Sequence, residues 1–212
     1  MEFLKTLLPM LFSGLKLTIV IAVSGIRIGI VIGSICGYAL QGKNKLTKVI
    51  AEVYIWIIRA TPLMVQALYG YFVIPKVLEI DLSSVTVGIM VIALNSGAFI
   101  SEIIKGALLG VDVGQKEAGK SLGLTRLQVM VQIVIPPAFR SALPALFNQF
   151  IISVKDTALL SIIAVNETTH MAQNYAALSF KAIPTYTVLA LFYLVILSVL
   201  IVVQRQIERK MR

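Results

Sequence analysis

The feature that most limits the fold is the repeated return of apolar stretches too long for the core of a small soluble domain. Residues 183–203 contain no charged side chain, and residues 15–40 contain only Lys16 and Arg27. A helix needs about 20 mostly apolar residues to cross a hydrocarbon core of ~30 Å. Five stretches meet that requirement: 15–40, 49–74 (interrupted at Pro62), 82–109, 141–165 and 183–203. With no water available in lipid, backbone polar groups must be satisfied within each segment, so helices are expected. The chain is therefore expected to be an all-α integral membrane protein with five transmembrane helices. One membrane domain accounts for residues 1–212, with no soluble domain. Only 14% of the residues are charged, against about 25% in soluble domains.

A net charge of +9 raises nucleic acid as a partner, but the placement of the cations explains them without it. Twelve lie on one side of the spans: Lys43, Lys45, Lys48, Lys105, Lys116, Lys120, Arg126, Arg140, Arg205, Arg209, Lys210 and Arg212. Four lie on the other (Lys5, Lys16, Lys76, Lys181), and Arg27, Arg59 and Lys155 fall within spans. The positive-inside bias puts the amino terminus outside and the carboxyl terminus in the cytoplasm. The single cysteine, Cys36, excludes an internal disulfide and reads as a packing residue. Glu2 and Lys5 near the start, with no small-residue cleavage pattern after the first run, argue against a cleavable signal peptide.

Charged groups inside spans cost about 2.5–3.5 kcal/mol each on insertion scales and tend to mark a pathway or a pair. On the third span Asn95, Glu102 and Lys105 share a helical face, and Glu102 can pair with Lys105 at i,i+3. On the fourth, Asn148 precedes Lys155 by seven residues and Gln149 precedes Asp156 by seven, making two adjacent polar stripes. One reading is a polar cavity between these spans, with Lys155 meeting a carboxylate and Glu102 or Asp156 an ammonium group. The other is an internally neutralised set that only ties helices together. The three accompanying amides favour the cavity. Arg27 stands beside Gly25, Gly29 and Gly33, whose spacing predicts close helix packing. His170, the only histidine, reads as an exposed loop residue. No nucleophile–base pair, phosphate-cradling loop or metal-ligand spacing points to catalysis.

Arg59-Ala60-Thr61-Pro62 admits two readings. A broken helix would aim a half-helix amino terminus at an anionic group, with Arg59 and Thr61 in the pathway. Alternatively, residues 46–58 form an interfacial helix and the span starts at Pro62, with Arg59 at the headgroups. In either case Thr61 is expected to cap the helix that Pro62 begins.

Residues 110–140 are the one long polar connection, where bundle helices are usually joined by about 2–8 residues. A polar helix is expected from Val113, ended by Gly123. A second, amphipathic helix over 124–135 would turn Leu127, Met130, Val131 and Val134 inward and stop at Pro136-Pro137. The result is a knob beneath the membrane domain, or a hairpin resting on lipid.

Within that loop Glu117-Ala118-Gly119, Gly123, Ile133 and Ile135-Pro136 reproduce the spacing of the E-A-A, x3, G, x9, I, x, L-P loop of ABC-importer permeases. Gly119 replaces the second alanine and Ile135 the leucine. Arg59–Gln66 resembles the R-G-T-P-L-L-V-Q signature of polar amino-acid permeases, Asn95–Phe99 with Glu102 their N-S-G-A-Y…E, and Asn148 with Lys155-Asp156-Thr157 their N…K-D-T. The resemblance covers nearly the whole chain. It implies a type I importer: two permease subunits, two cytoplasmic ATPase subunits and an extracytoplasmic substrate-binding protein, in a bacterial inner membrane. The loop would be the coupling helix, with Glu117, Ala118, Gly119, Gly123, Ile133 and Pro136 as coupling residues. Asn95, Glu102, Asn148, Gln149, Lys155, Asp156, Arg59 and Thr61 would line the pathway. The chain carries no Walker A motif, so the resemblance assigns ATP, magnesium and hydrolysis to the partner ATPase and no cofactor to this chain. A homodimer is the simpler assembly, because an odd number of spans cannot form two equal halves. The substrate is expected to be a polar amino acid, with basic ones favoured by the two acids Glu102 and Asp156. The alternative, an ion-coupled carrier or channel working without an ATPase, leaves the loop unexplained.

Overall fold

The computed structural model describes residues 2–42 and 44–211, so Lys43 and Arg212 of the charge count lie outside it. The described residues are helical almost throughout and contain no strand. Among the described residues four helical stretches are each long and apolar enough to cross a membrane, and one bent pair of helices is a fifth when it is counted as one span.

The first helix, α1 (Glu2–Ala39), begins well before the expected boundary at residue 15 and runs unbroken past Pro9. Its chief partner is α5 (Ser84–Leu109), the central helix of the bundle. Between helices in lipid the hydrophobic effect contributes little, so packing depends on how closely the backbones approach. Here small residues permit that approach. A methyl group placed on Gly25 or Gly33 would lie 2.6 Å from Ile92 or Ile100, and one on Gly37 2.8 Å from the Ser101 carbonyl oxygen. The glycine face foreseen at three positions therefore extends to a fourth. Arg27 points away from this face and is exposed.

The second span is broken. α2 (Lys45–Ala60) starts at an Asn44 cap, and α3 (Leu63–Leu68), joined through a π-helical stretch to α4 (Ile74–Leu78), follows it at 103°. Tyr54 in α2 donates to the Leu94 carbonyl, 2.6 Å away. Thr61 at the break shares a cavity with Met90, Val91 and Leu94, in the first half of α5, and both Thr61 and Pro62 are exposed. Thr61 does not cap the new helix. Pro62 occupies the N-cap position with no side-chain bond, and the Thr61 hydroxyl turns back to donate to the Ile57 carbonyl at 2.8 Å.

Beyond α5 the chain forms α6 (Val113–Ser121) and the short α7 (Arg126–Gln128). A π-helical stretch, Val129–Val134, then leads directly into α8 (Ile135–Asp156). Pro136-Pro137 therefore starts a helix where a stop was expected. The i→i+5 turn ahead of them lets the prolines enter at the first positions of a new α segment, where their missing N–H groups break no regular ladder. A 3₁₀ segment, Thr157–Ile163, ends this stretch, and α9 (Thr168–Ser179) and α10 (Ala182–Met211) complete the chain. α8 returns antiparallel to α5, for Ser96 meets Ser153 while Leu108 packs near Ala138.

Candidate functional site: a polar helix face and a two-helix knob

The knob is built by local rules. Asp112 caps α6 through the Gln115 amide. Gly123 turns the chain at φ +81°, in the left-handed region that disfavours side chains. Thr125 and Gln128 then form a reciprocal capping box that starts α7. Gly119 is buried beneath Ile133, and a methyl group there would meet the end of the isoleucine side chain. The glycine that weakens α6 locally thus leaves room for the Ile133 and Val129 side chains. The inward face differs from the one expected: Val129 and Val134 are buried and Met130 half-buried, whereas Leu127 and Val131 are exposed. The π turn advances each following residue around the axis by less than an α-helix does, which shifts the apolar face. Val129, Val134 and Ala138 pack with Leu108 and Val111, anchoring the knob to the end of α5. Glu117, Ala118 and Pro136 stay exposed on it.

The polar residues of the spans divide into three places. Asn95 and Gln149 are buried between helices, 8% and 4% exposed. Near them Ser96 and Ser153 share a hydrogen bond of 2.9 Å, and among the described residues the Gln149 Nε2 group has no partner. Asn148 and Lys155 lie on the open side of α8, both exposed, while Asp156 is half-buried. Glu102 and Arg59 belong to a third place, an open crevice between α2 and α5. It has a volume of about 450 Å³, and Glu52, Trp56 and Lys105 also line it. There Glu102 pairs with Lys105 at 3.5 Å, and the Arg59 guanidinium stacks 5.4 Å from the centre of the Phe99 ring.

The single cavity expected to hold Glu102, Lys155 and Asp156 is therefore not formed within this chain. From the Ser96–Ser153 contact, Glu102 lies six residues towards one end of the bundle and Lys155 two towards the other. At 1.5 Å per residue they are separated by about 12 Å along the axis.

Sequence reasoning passed over two polar devices. Gln66 reaches back across the break, its Nε2 group 2.8 Å from the Ile58 carbonyl, 3.0 Å from the Thr61 carbonyl and 2.9 Å from the Thr61 hydroxyl. It thereby satisfies carbonyls that the end of α2 leaves open. The signal was its place four residues after Pro62. Glu167 is wholly buried and caps α9, accepting from the Thr169 and His170 amides at 2.8 and 2.7 Å and from the Tyr193 hydroxyl at 3.3 Å. Burial pushes its carboxyl above the ordinary range, and the two amides oppose that shift without cancelling it. His170 is half-buried within α9 rather than in an exposed loop.

The fold that carries these features has counterparts among known proteins. The family described as "Binding-protein-dependent transport system inner membrane component" matches residues 29–212. The chain belongs to this family. The glutamine transport system permease protein GlnP of Escherichia coli (strain K12) is 39% identical over 97% of this chain and 94% of its own length. The L-cystine transport system permease protein TcyB and the arginine transport system permease protein ArtQ, both of Bacillus subtilis (strain 168), are 33% and 28% identical over 96% and 97% of this chain. They are covered over 87% and 94% of their own lengths. Among solved structures, an amino acid ABC transporter with histidines matches at a TM-score of 0.92 and 31% identity, over 99% of this chain and 97% of that one. The MetNI methionine ABC transporter, in an inward-facing form, shares the fold at a TM-score of 0.81 and 16% identity, over 97% of both chains. The chain is an amino-acid ABC-importer permease with the type I fold.

Proposed function

We propose that two copies of this permease form a pathway for a polar amino acid, with Asn148 and Lys155 of each copy facing it, and that a partner ATPase drives the pathway by pressing on the knob at residues 110–134. The observation that carries this reading is the exposure of Asn148 and Lys155 together on one face of a mostly apolar helix. A lysine held in lipid would be costly, so such a face calls for a water-lined path or a second subunit. The buried Asn95 and Gln149, the latter with an unused donor, stand just behind it. The knob supports the ATPase as partner, because its exposed Glu117 and Ala118 sit on a support braced against α5. The bundle end that carries Lys105, Lys116, Lys120 and Arg126 then faces the cytoplasm, and the substrate-binding protein delivers from the opposite side.

A preference for basic substrates loses its motive, since Glu102 is paired with Lys105 and lies far from Asp156. A zwitterion whose carboxylate meets Lys155 suits the arrangement better, and a neutral polar side chain such as an amide needs no further charge. Reconstitution with the ATPase and binding protein tests the scheme. Lys155→Gln should lower uptake at least ten-fold while assembly and basal hydrolysis persist, and Glu117→Lys should uncouple hydrolysis from the binding protein. Unchanged uptake in the first variant, or intact assembly and stimulated hydrolysis in the second, would remove the corresponding half of the proposal.

A further inference from the structure

On α8 the residues Ile135 and Phe139 lie roughly half a turn around the axis from Asn148 and Lys155, at about 100° per residue. They border a groove on the side away from the proposed pathway. Two adjoining cavities make up this groove, and Tyr38 and Met130 line both. The inner one, about 260 Å³, runs between α1, α5 and the start of α8 against Ile104, Leu108, Ile135 and Phe139. The outer one, about 570 Å³, opens at the knob, where Lys116, Lys120 and Arg126 gather with Gln41. Among the described residues no acidic one lines either cavity. Among the described residues none of the three cations is within ion-pair distance of a carboxylate. Lys116 is tethered at the mouth by a 3.3 Å bond to the Leu108 carbonyl.

We propose that this groove seats one anionic phospholipid, with its phosphate among Lys116, Lys120 and Arg126 and an acyl chain along Ile104, Ile135 and Phe139. The charge and the shape point to the same occupant. Three cations without counter-charges call for an anion, and basic pockets beside spans on the cytoplasmic side suit anionic headgroups. A free anion would leave the apolar half of the groove unfilled, and a zwitterionic lipid would leave the cations uncompensated. The seat joins the end of α1, the end of α5 and both helices of the knob, so its occupant would brace the loop from the membrane side. The inference does not depend on which amino acid is carried.

The test uses the importer purified with its ATPase in a nonionic detergent. Native mass spectrometry and thermal unfolding should show phosphatidylglycerol retained, and stabilising, in preference to phosphatidylcholine. Lys120→Gln/Arg126→Gln should weaken phosphatidylglycerol retention about 30-fold, which is ~2 kcal/mol at 1.4 kcal/mol per decade. Lys181→Gln, at the far end of the bundle, should leave it unchanged. Should the double variant fail to assemble, a photoactivatable phosphatidylglycerol on the unaltered importer should label peptides spanning 126–139. Equal retention of the two lipids, or the same stabilisation by inorganic phosphate alone, overturns the proposal. So does labelling confined to other spans, or a cross-link showing that a second permease copy fills the groove.

Discussion

The two sides of α5 are built on opposite principles. Towards α1 it presents Ile92, Ser96, Gly97 and Ile100 to a row of glycines, and the helices meet with no room for an added methyl group. Towards α2 it presents Phe99, Glu102 and Lys105 to Arg59, Trp56 and Glu52 across an open crevice. The first side is lined by small residues and is exacting about shape along its whole length. The second is charged and open around Glu102, and close-fitting only where Tyr54 meets Gly97. The contrast sets a rigid pair, α1 with α5, against a broken second span that is held by apolar contacts of Ala51, Ile55, Leu63 and Ala67 and by the bond from Tyr54 to the Leu94 carbonyl.

The largest effect is expected where shape is exacting. Gly33→Val would drive a branched side chain into Ile100, which already lies 2.6 Å from the position of a single added methyl carbon. Overpacking of this kind costs about 1–3 kcal/mol, occasionally more. Thermal unfolding of the assembled importer should fall sharply, and Ile100→Ala should restore part of the loss in the double variant. If Gly33→Val is neutral, the rigid-pair view fails.

Next comes the break. Gln66→Leu leaves the half-buried Ile58 carbonyl and the exposed Thr61 carbonyl without the donor that now satisfies them, at a cost of about 0.5–1.5 kcal/mol per lost bond. Hydrogen exchange should rise over residues 57–63 while α1 and α5 stay protected. Loosening spread evenly over the bundle would show that the two sides of α5 are not mechanically distinct.

Glu167 supplies a pH-dependent test on the rigid side, because α9 packs against α1 where Thr168 meets Gly14. Its folded carboxyl titrates above the ordinary value of 4.5. Between that value and the raised one the folded chain binds more protons than the unfolded chain, so stability should decline as pH rises through this window. Glu167→Gln should flatten the slope. A slope of opposite sign would mean that the amide hydrogen bonds outweigh burial.

The smallest change in stability is expected from Glu102→Gln. The pair with Lys105 is half-exposed, and such pairs contribute about 0–1 kcal/mol. The melting temperature should barely move, whatever happens to transport.

Much of this was legible before any coordinates. Long apolar runs dictate helices because lipid satisfies no backbone group, and glycines four residues apart dictate a close approach. The spacing of Glu117, Gly123 and Ile133 located the knob, and Gly123 turned as its composition required. Other features had no local signature. Pro136-Pro137 read as a stop because proline breaks an α ladder, but a π turn placed ahead of it converts the same pair into a start. Thr61 reads as a cap because its neighbour is proline, but its hydroxyl donates back to the Ile57 carbonyl and Gln66 closes the break from the other side. The period of a helix orients side chains about its own axis, so the residue pattern alone places Glu102, Lys155 and Asp156 within spans and gives each a face. The separation of Glu102 from the other two comes from antiparallel pairing and register, which set what stands opposite and which no single helix encodes.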